Sequence, residues 1–331
     1  MMQVLENEKV RQWVVLGTGG TIAGTASHAG DHTGYRAGQV GVGQLLESVP
    51  GLEAVLQGDG LLWEQVAQLD SKDMDHDTWQ VLARRCRHWL AQPQVAGLVI
   101  THGTDTLEET AWFLQQVVHT GQPVVMTCAM RPATALSPDG PQNLLDAFCV
   151  ARDPLLQSQS ASDVMVVCAG RIHSARDVQK VHPYRLDAFS SGDASPLGWV
   201  EQGVVRWARG MGSFRPSTPH PHAEQALAVS ATQWPWVEVL TSHAGADARR
   251  VHALVAAGVR GMVVAGTGNA TVHQALLAAL LQAQQDHGVA VRLTSRCPLG
   301  QCVGSAMALP MADQGLGACK ARIDLMLDLL A

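Results

Sequence analysis

Residues 14–24 read VVLGTGGTIAG, an apolar run that breaks into four glycines and two threonines. An unalternated run of this kind suits a strand buried on both faces, as in a parallel sheet. The glycines mark a strand exit where the backbone turns tightly or comes close to another group. Thr21 is harder to place, because such a turn calls for Gly, Asn or Asp rather than a hydroxyl. Similar runs recur outward from this strand. WVVLG (13–17), GLVIT (97–101), PVVMTC (123–128), DVMVVCA (163–169), VEVLTS (237–242), GMVVAG (261–266) and VAVRLTS (289–295) all read as strands. Helical stretches such as TWQVLARRCRHWL (78–90) and TLEETAWFLQQVVHT (106–120) lie between them. The alternation predicts an α/β fold with a parallel sheet.

Length and composition bound the rest. A chain of 331 residues, 47% of them apolar, is long enough for two domains. The pattern lapses at 207–233 into Pro, Ser, His and Gly, which predicts a linker between a domain at 1–206 and a smaller one at 234–331. A net charge of −6 gives no basic footprint for nucleic acid. The 14 histidines are scattered without zinc-finger or HExxH spacing, so no metal is expected; PHPH (219–222) reads more simply as a loop. Seven cysteines, an odd count without a framework, suit reduced thiols in a cytosol. The opening MMQVLENEKVRQW has acids and no apolar core of a leader, and no run approaches the roughly 20 residues of a membrane span. The expectation is a cytoplasmic protein with neither a membrane nor a nucleic-acid partner.

Three strand exits carry unusual residues: GTGGT (17–21), THGTDT (101–106) and CAMRP (128–132). Ligands of open parallel sheets bind outside the carboxyl ends of the strands, so these loops have a reason to converge. In THGTDTLEE, Asp105 followed by Glu108 fits a capping box, a purely structural reading. The same stretch offers hydroxyls and a carboxylate beside a helix N-terminus, where backbone N–H groups can hold an oxyanion. GTGGTIAG is no dinucleotide fingerprint, since Ile22 stands where the third glycine belongs, and neither a Walker loop nor a GxSxG elbow occurs. A hydroxyl nucleophile without a histidine base remains, and it needs a relay. Tyr35 and Lys180 are the candidates, a desolvated lysine being able to act as base.

VVLGTGGTIAG, DSKDM (70–74), VITHGTDTLEETAWFL, PVVMTCAMRP, SPDGPQNL, ARDVQK, AGTGNAT (265–271) and the closing KARIDLMLDLL together resemble the bacterial-type L-asparaginases, in order and from residue 13 to the end. The resemblance implies a two-domain asparaginase-like α/β fold: a larger N-terminal parallel-sheet domain with most catalytic residues, and a smaller C-terminal α/β domain. It implies a homotetramer, a dimer of dimers whose sites are completed by the neighbouring subunit, with no cofactor or metal. The implied activity is hydrolysis of the side-chain amide of asparagine to aspartate and ammonia, with glutamine a poorer substrate. Thr21 matches the nucleophile and Tyr35 its activating partner. Thr104, Asp105 and Lys180 match a second cluster that handles protons, and Asp105 also takes the substrate's α-ammonium. Ser71 matches the α-carboxylate ligand, the Ala129 carbonyl the group orienting the leaving amide, and Asn269 a further substrate contact.

Three positions depart from the pattern. Lys72 stands where Gln or Glu often faces the α-ammonium, Met307 stands near the position of an acid donated by the neighbouring subunit, and Thr271 replaces a frequent Asn. Lys72 is therefore expected either to weaken amino recognition or to point away. Two other readings stay open: an amidase of the same family preferring another amide, such as a glutaminase, and a non-catalytic sensor of asparagine or aspartate. Retention of Thr21, Tyr35, Thr104, Asp105 and Lys180 together speaks against the sensor, which needs neither Tyr35 nor Lys180.

Overall fold

The computed structural model describes residues 11–119, 121–158, 163–208, 218–304, 308–313 and 315–330. The large sheet comprises β1 (Gln12–Gly19), β2 (Gly60–Leu69), β3 (Val95–Thr101), β4 (Val124–Thr127), β5 (Val164–Cys168), β6 (Arg171–Ser174), β9 (Gly198–Glu201) and β10 (Val204–Trp207). β7 (Gln179–Lys180) and β8 (Phe189–Ser190) form a separate ribbon, while β11 (Val237–Thr241), β12 (Gly261–Gly266) and β13 (Ala290–Ser295) make a small sheet. The helices are α1 (Val42–Glu47), α2 (Leu52–Leu56), α3 (His76–Leu90), α4 (Leu107–Val117), α5 (Gly140–Ala151), α6 (Pro154–Gln157), α7 (Ala223–Ala228), α8 (Arg249–Ala256), α9 (Gln274–His287) and α10 (Ala318–Asp328).

The large sheet runs β10-β9-β6-β5-β4-β3-β1-β2 and the small one β11-β12-β13. β2, β1, β3, β4 and β5 are mutually parallel, as are the three strands of the small sheet. β6, β9 and β10 extend the large sheet antiparallel, so it is mixed rather than wholly parallel. Ala169-Gly170 and Gln202-Gly203 close the β5–β6 and β9–β10 hairpins with positive φ at both residues, the twist that two-residue hairpins favour. β2 escapes the sequence reading because it is an edge strand: GLLWEQVAQL mixes polar and apolar residues, and Trp63 is 56% exposed.

The strand runs are apolar throughout because both faces are covered. Trp13, Val15, Val99 and Val125 face a layer with Leu46, Leu52, Leu144 and Phe148 of α1, α2 and α5. Val14, Leu16, Leu98, Ile100 and Met126 face α3 and α4 through Leu82, Leu107 and Phe113. That second core continues without interruption into the smaller sheet and α10, through Val237, Val263, Ile323 and Met326. The segment expected to be a linker is partly folded: α7 lies within it, buries Ala223, Ala226 and Leu227, and its Ala226 and Leu227 carbonyls accept hydrogen bonds from Gln80 and Arg84 of α3. An adjacent Pro-rich stretch hides this helix from a reading by composition.

Candidate active site

The strand order puts the exits of β2, β1, β3 and β4 side by side. GTGGT and THGTDT do more than neighbour one another. Gly20 adopts φ +79°, and a Cβ there would sit 2.2 Å from Gly103 Cα. A Cβ on Gly103 would lie 2.5 Å from Ser71 Oγ and 3.0 Å from Gly20 Cα. Only glycines allow these backbones to cross in contact. Thr18 reinforces the junction by donating to the Thr101 carbonyl at 3.0 Å. The two threonines of the opening motif therefore divide the work: Thr18 ties strands together and Thr21 starts a 3-10 turn above them.

Thr21 is 6% exposed, and its Oγ1 lies 2.6 Å from the Tyr35 hydroxyl. The loop after Gly24 folds back so that Thr25 and Arg36 bridge antiparallel, which returns Tyr35 to the strand exit. Burial raises the Tyr35 pKa, the bond to Thr21 lowers it, and the Asp70 and Asp105 carboxylates raise it further. A half-buried phenol facing acids stays protonated at neutral pH and is suited to relay a proton rather than store charge.

The second centre forms at the start of α4. Lys180 Nζ donates to Thr104 Oγ1 at 2.8 Å and to Asp105 Oδ1 at 2.5 Å. Thr104 is buried, whereas the Asp105 carboxylate remains 52% exposed, open to a cationic group arriving from solvent. The capping-box reading fails. Thr106 caps α4 without a side-chain bond, Asp105 is committed to Lys180, and Glu108 Oε2 instead accepts from the Lys180 backbone N–H at 2.6 Å. Burial raises the Glu108 pKa, and that backbone bond lowers it.

The DSKDM turn adds Ser71, whose Oγ accepts from Asp105 N at 3.1 Å while its carbonyl accepts from Thr106 Oγ1 at 2.7 Å. Its hydroxyl proton stays available to a further acceptor. Asp70 caps this turn by accepting from Lys72 N. Lys72 turns to its own neighbours, Nζ lying 2.5 Å from Asp73 Oδ2 and 3.5 Å from Asp70 Oδ2, with the side chain 60% exposed. Its ammonium is thus paired with two carboxylates of its own turn.

Ala129, in the third loop, lies between two fixed peptides. Asn143 donates to the Cys128 carbonyl at 2.9 Å, and Asp139 accepts from Met130 N and Arg131 N at 2.9 Å each. Asn143 and Asp139 both belong to SPDGPQNL and had no assigned role, while Glu108 of THGTDTLEE was read only as part of a capping box. Their signal is three-dimensional: Glu108 takes a backbone N–H far away in sequence, and Asp139 and Asn143 hold backbone across the loop that precedes α5. Asn269 stands apart from this cluster, its amide bonded in both directions to the Val303 backbone at 2.6 and 2.8 Å. Met307 lies outside the described residues. Among the described residues, no group of three His, Cys, Asp or Glu side chains gathers at metal-binding distances.

Fold and site together define a two-domain α/β protein whose adjacent strand exits carry two hydroxyl centres, one paired with a phenol and the other with an ammonium. The family model described as "Asparaginase, N-terminal" matches residues 12–211, and that described as "Glutaminase/Asparaginase C-terminal domain" matches residues 236–329. The chain is 36% identical to L-asparaginase 2 of Escherichia coli over 286 residues, 86% of this chain and 78% of that protein. It is 35% identical to the glutaminase-asparaginase of Pseudomonas fluorescens over 298 residues, 90% of this chain and 79% of that protein. The solved structure of a probable cytoplasmic L-asparaginase from Campylobacter jejuni superposes with a TM-score of 0.86 at 34% identity, covering 96% of this chain and 95% of that one. The chain belongs to the asparaginase family.

Proposed function

We propose that this protein is an L-asparaginase that hydrolyses asparagine to aspartate and ammonia, with glutamine a poorer substrate. The observation that carries the reading is the Gly20–Gly103 crossing, which sets the Thr21–Tyr35 pair beside the Thr104–Asp105–Lys180 cluster. Amide hydrolysis needs a nucleophile, an oxyanion site and a proton for the departing amine. A zwitterionic substrate also needs a carboxylate for its ammonium and donors for its carboxylate.

In this reading Asp105 receives the α-ammonium and the Ser71 hydroxyl donates to the α-carboxylate, while the Ala129 carbonyl orients the leaving amide. Thr21 Oγ1 attacks the side-chain carbonyl carbon as its proton moves to the Tyr35 oxygen and the phenol hands its own proton on toward the Thr104–Lys180 pair. The C–N bond breaks, ammonia leaves with a proton delivered through the Thr104–Lys180 pair, and a β-aspartyl ester stays on Thr21. Water then attacks the ester, releasing aspartate and restoring the hydroxyl. Lys72 takes no part. The chain works in the cytoplasm as a homotetramer in which Asn269 serves the neighbouring subunit's site; the solved Campylobacter relative, described as probably cytoplasmic, and the unpaired cysteines of the described residues support that location.

Thr21→Ala tests the assignment. Turnover of asparagine should fall by roughly a thousandfold or more, as for loss of a covalent nucleophile, while the thermal midpoint stays close to wild type. A variant that keeps a tenth of wild-type kcat would overturn Thr21 as nucleophile.

A further inference from the structure

The segment that delivers Lys180 is held in place by the other domain. Lys180 lies just beyond a turn at residues 175–178, and three of the turn's four carbonyls meet one side chain. Lys320, on α10, is 2% exposed. Its Nζ donates to the carbonyls of Ala175, Arg176 and Val178 at 2.8, 2.7 and 2.6 Å, so every ammonium proton is used. Burying a lysine is costly unless its charge is compensated, and an apolar side chain would fill the same space more cheaply. An ammonium at this position therefore answers to the carbonyls it holds. Burial lowers its pKa to about 8 against the pull of Glu108 and Asp177, with Arg176 lowering it and Glu109 raising it.

Two residues beyond Val178, the Lys180 backbone N–H is held by Glu108 of α4. The stretch 175–180 is thus clamped on one side by α10 and on the other by α4. The clamps are themselves joined: Trp112 of α4 donates to Asp324 of α10 at 2.7 Å, and Arg322 lies 3.7 Å from Glu109. A lysine stem has four rotatable bonds, so reaching Thr104 Oγ1 and Asp105 Oδ1 together requires a fixed starting backbone.

We propose that Lys320 is a positioning residue for Lys180, through which the C-terminal helix sets the geometry of the proton-handling centre in the larger domain. This rests on the asparaginase reading of that centre. Lys320 touches no substrate and acts only through the main chain of residues 175–178.

The test is a double-mutant cycle on the full chain, with kcat and KM for asparagine measured well below each variant's unfolding temperature. Lys320→Met should lower kcat by about thirtyfold to a hundredfold, the scale of a misplacement near 1 Å, with a smaller change in KM. In a Lys180→Met background, adding Lys320→Met should lower kcat no more than about twofold, because residues acting as one unit are not additive. Lys320→Gln, which keeps donors for part of the carbonyl set, should lose less than Lys320→Met and supplies the measurement if the latter does not fold. Leu280→Ala, a core change in α9, serves as a destabilised control and should keep wild-type kcat. Equal losses with and without Lys180, or wild-type kcat in both Lys320 variants, would overturn the positioning role while leaving the asparaginase reading intact. A wild-type protein that releases no ammonia would remove that reading, and this inference with it.

Discussion

Single side chains decide how the site is charged. Lys72 is the residue most at odds with an ammonium-binding site, and its ammonium pairs with Asp73 and Asp70 in exposed ion pairs. Lys72→Gln should therefore leave KM for asparagine within about twofold of wild type, the pair being exposed and weak; a tenfold fall in KM would show that Lys72 does repel substrate. Three histidines carry a different consequence. Burial lowers His76, His102 and His173 to about 4, assisted at His76 by Arg322 and at His173 by Arg171 and Lys320. An unfolded histidine titrates near 6.5, so between about pH 6.5 and 4 the unfolded chain binds more protons and stability falls as pH falls. Asp324 acts in the opposite sense: burial raises it to about 6, so its contribution to stability increases as pH drops through that window. The histidines outnumber it, and the urea midpoint should decline from pH 7 to 4.5. His173→Gln should flatten the decline by about one proton's worth, and an unchanged slope would contradict the assignment. Thr21 and Thr104 stood out in the sequence as hydroxyls at strand exits, and Tyr35 and Lys180 as groups that could relay a proton from such a hydroxyl. Glu108, Asp139 and Asn143 did not, because acids and amides at helix starts are ordinary and which backbone groups they hold is set by the folded loops.

At the level of elements, the site depends on how strand exits meet rather than on any one loop. The apolar runs of β1, β3, β4 and β5 announced a buried parallel sheet, and the observed order places their exits in a row. β2 stayed hidden because an edge strand shares its pattern with loops, and β6, β9 and β10 because each is four residues of mixed polar and apolar character. The Gly20–Gly103 crossing could be anticipated as a need for glycine but not as a contact between those two residues. Gly20→Ala should be among the most damaging small substitutions in the chain, since its methyl would meet backbone at 2.2 Å and φ +79° disfavours any side chain. The expected result is a loss of about 2 kcal/mol or more in urea unfolding together with loss of turnover. Gly51→Ala is the control. Its φ of +81° carries the same backbone penalty, but nothing lies within 4 Å of the added methyl, so activity should survive. Equal activity in the two variants would contradict the crossing as the organiser of the site.

Across the whole molecule, the two sheets share one hydrophobic core. Val14, Leu98 and Phe113 of the larger unit pack in the same cluster as Val237, Val263 and Met326 of the smaller. The division read from a Pro-rich stretch gave no sign of this continuity, because composition does not show which surfaces meet. The chain should unfold in one calorimetric transition, and Met326→Ala should lower that transition as a unit, by about 2 to 5 kcal/mol, without splitting it; two resolved transitions would show that the sheets fold independently. Such continuity is what lets α10 act on Lys180 from the other domain. The account as a whole stands on one reaction. Ammonia release by the purified protein, measured with asparagine and glutamine in parallel from low to high millimolar concentration, tests it most directly. The account predicts saturable release from asparagine, with kcat/KM above that for glutamine. A folded protein that releases ammonia from neither, or from glutamine in preference, would contradict it.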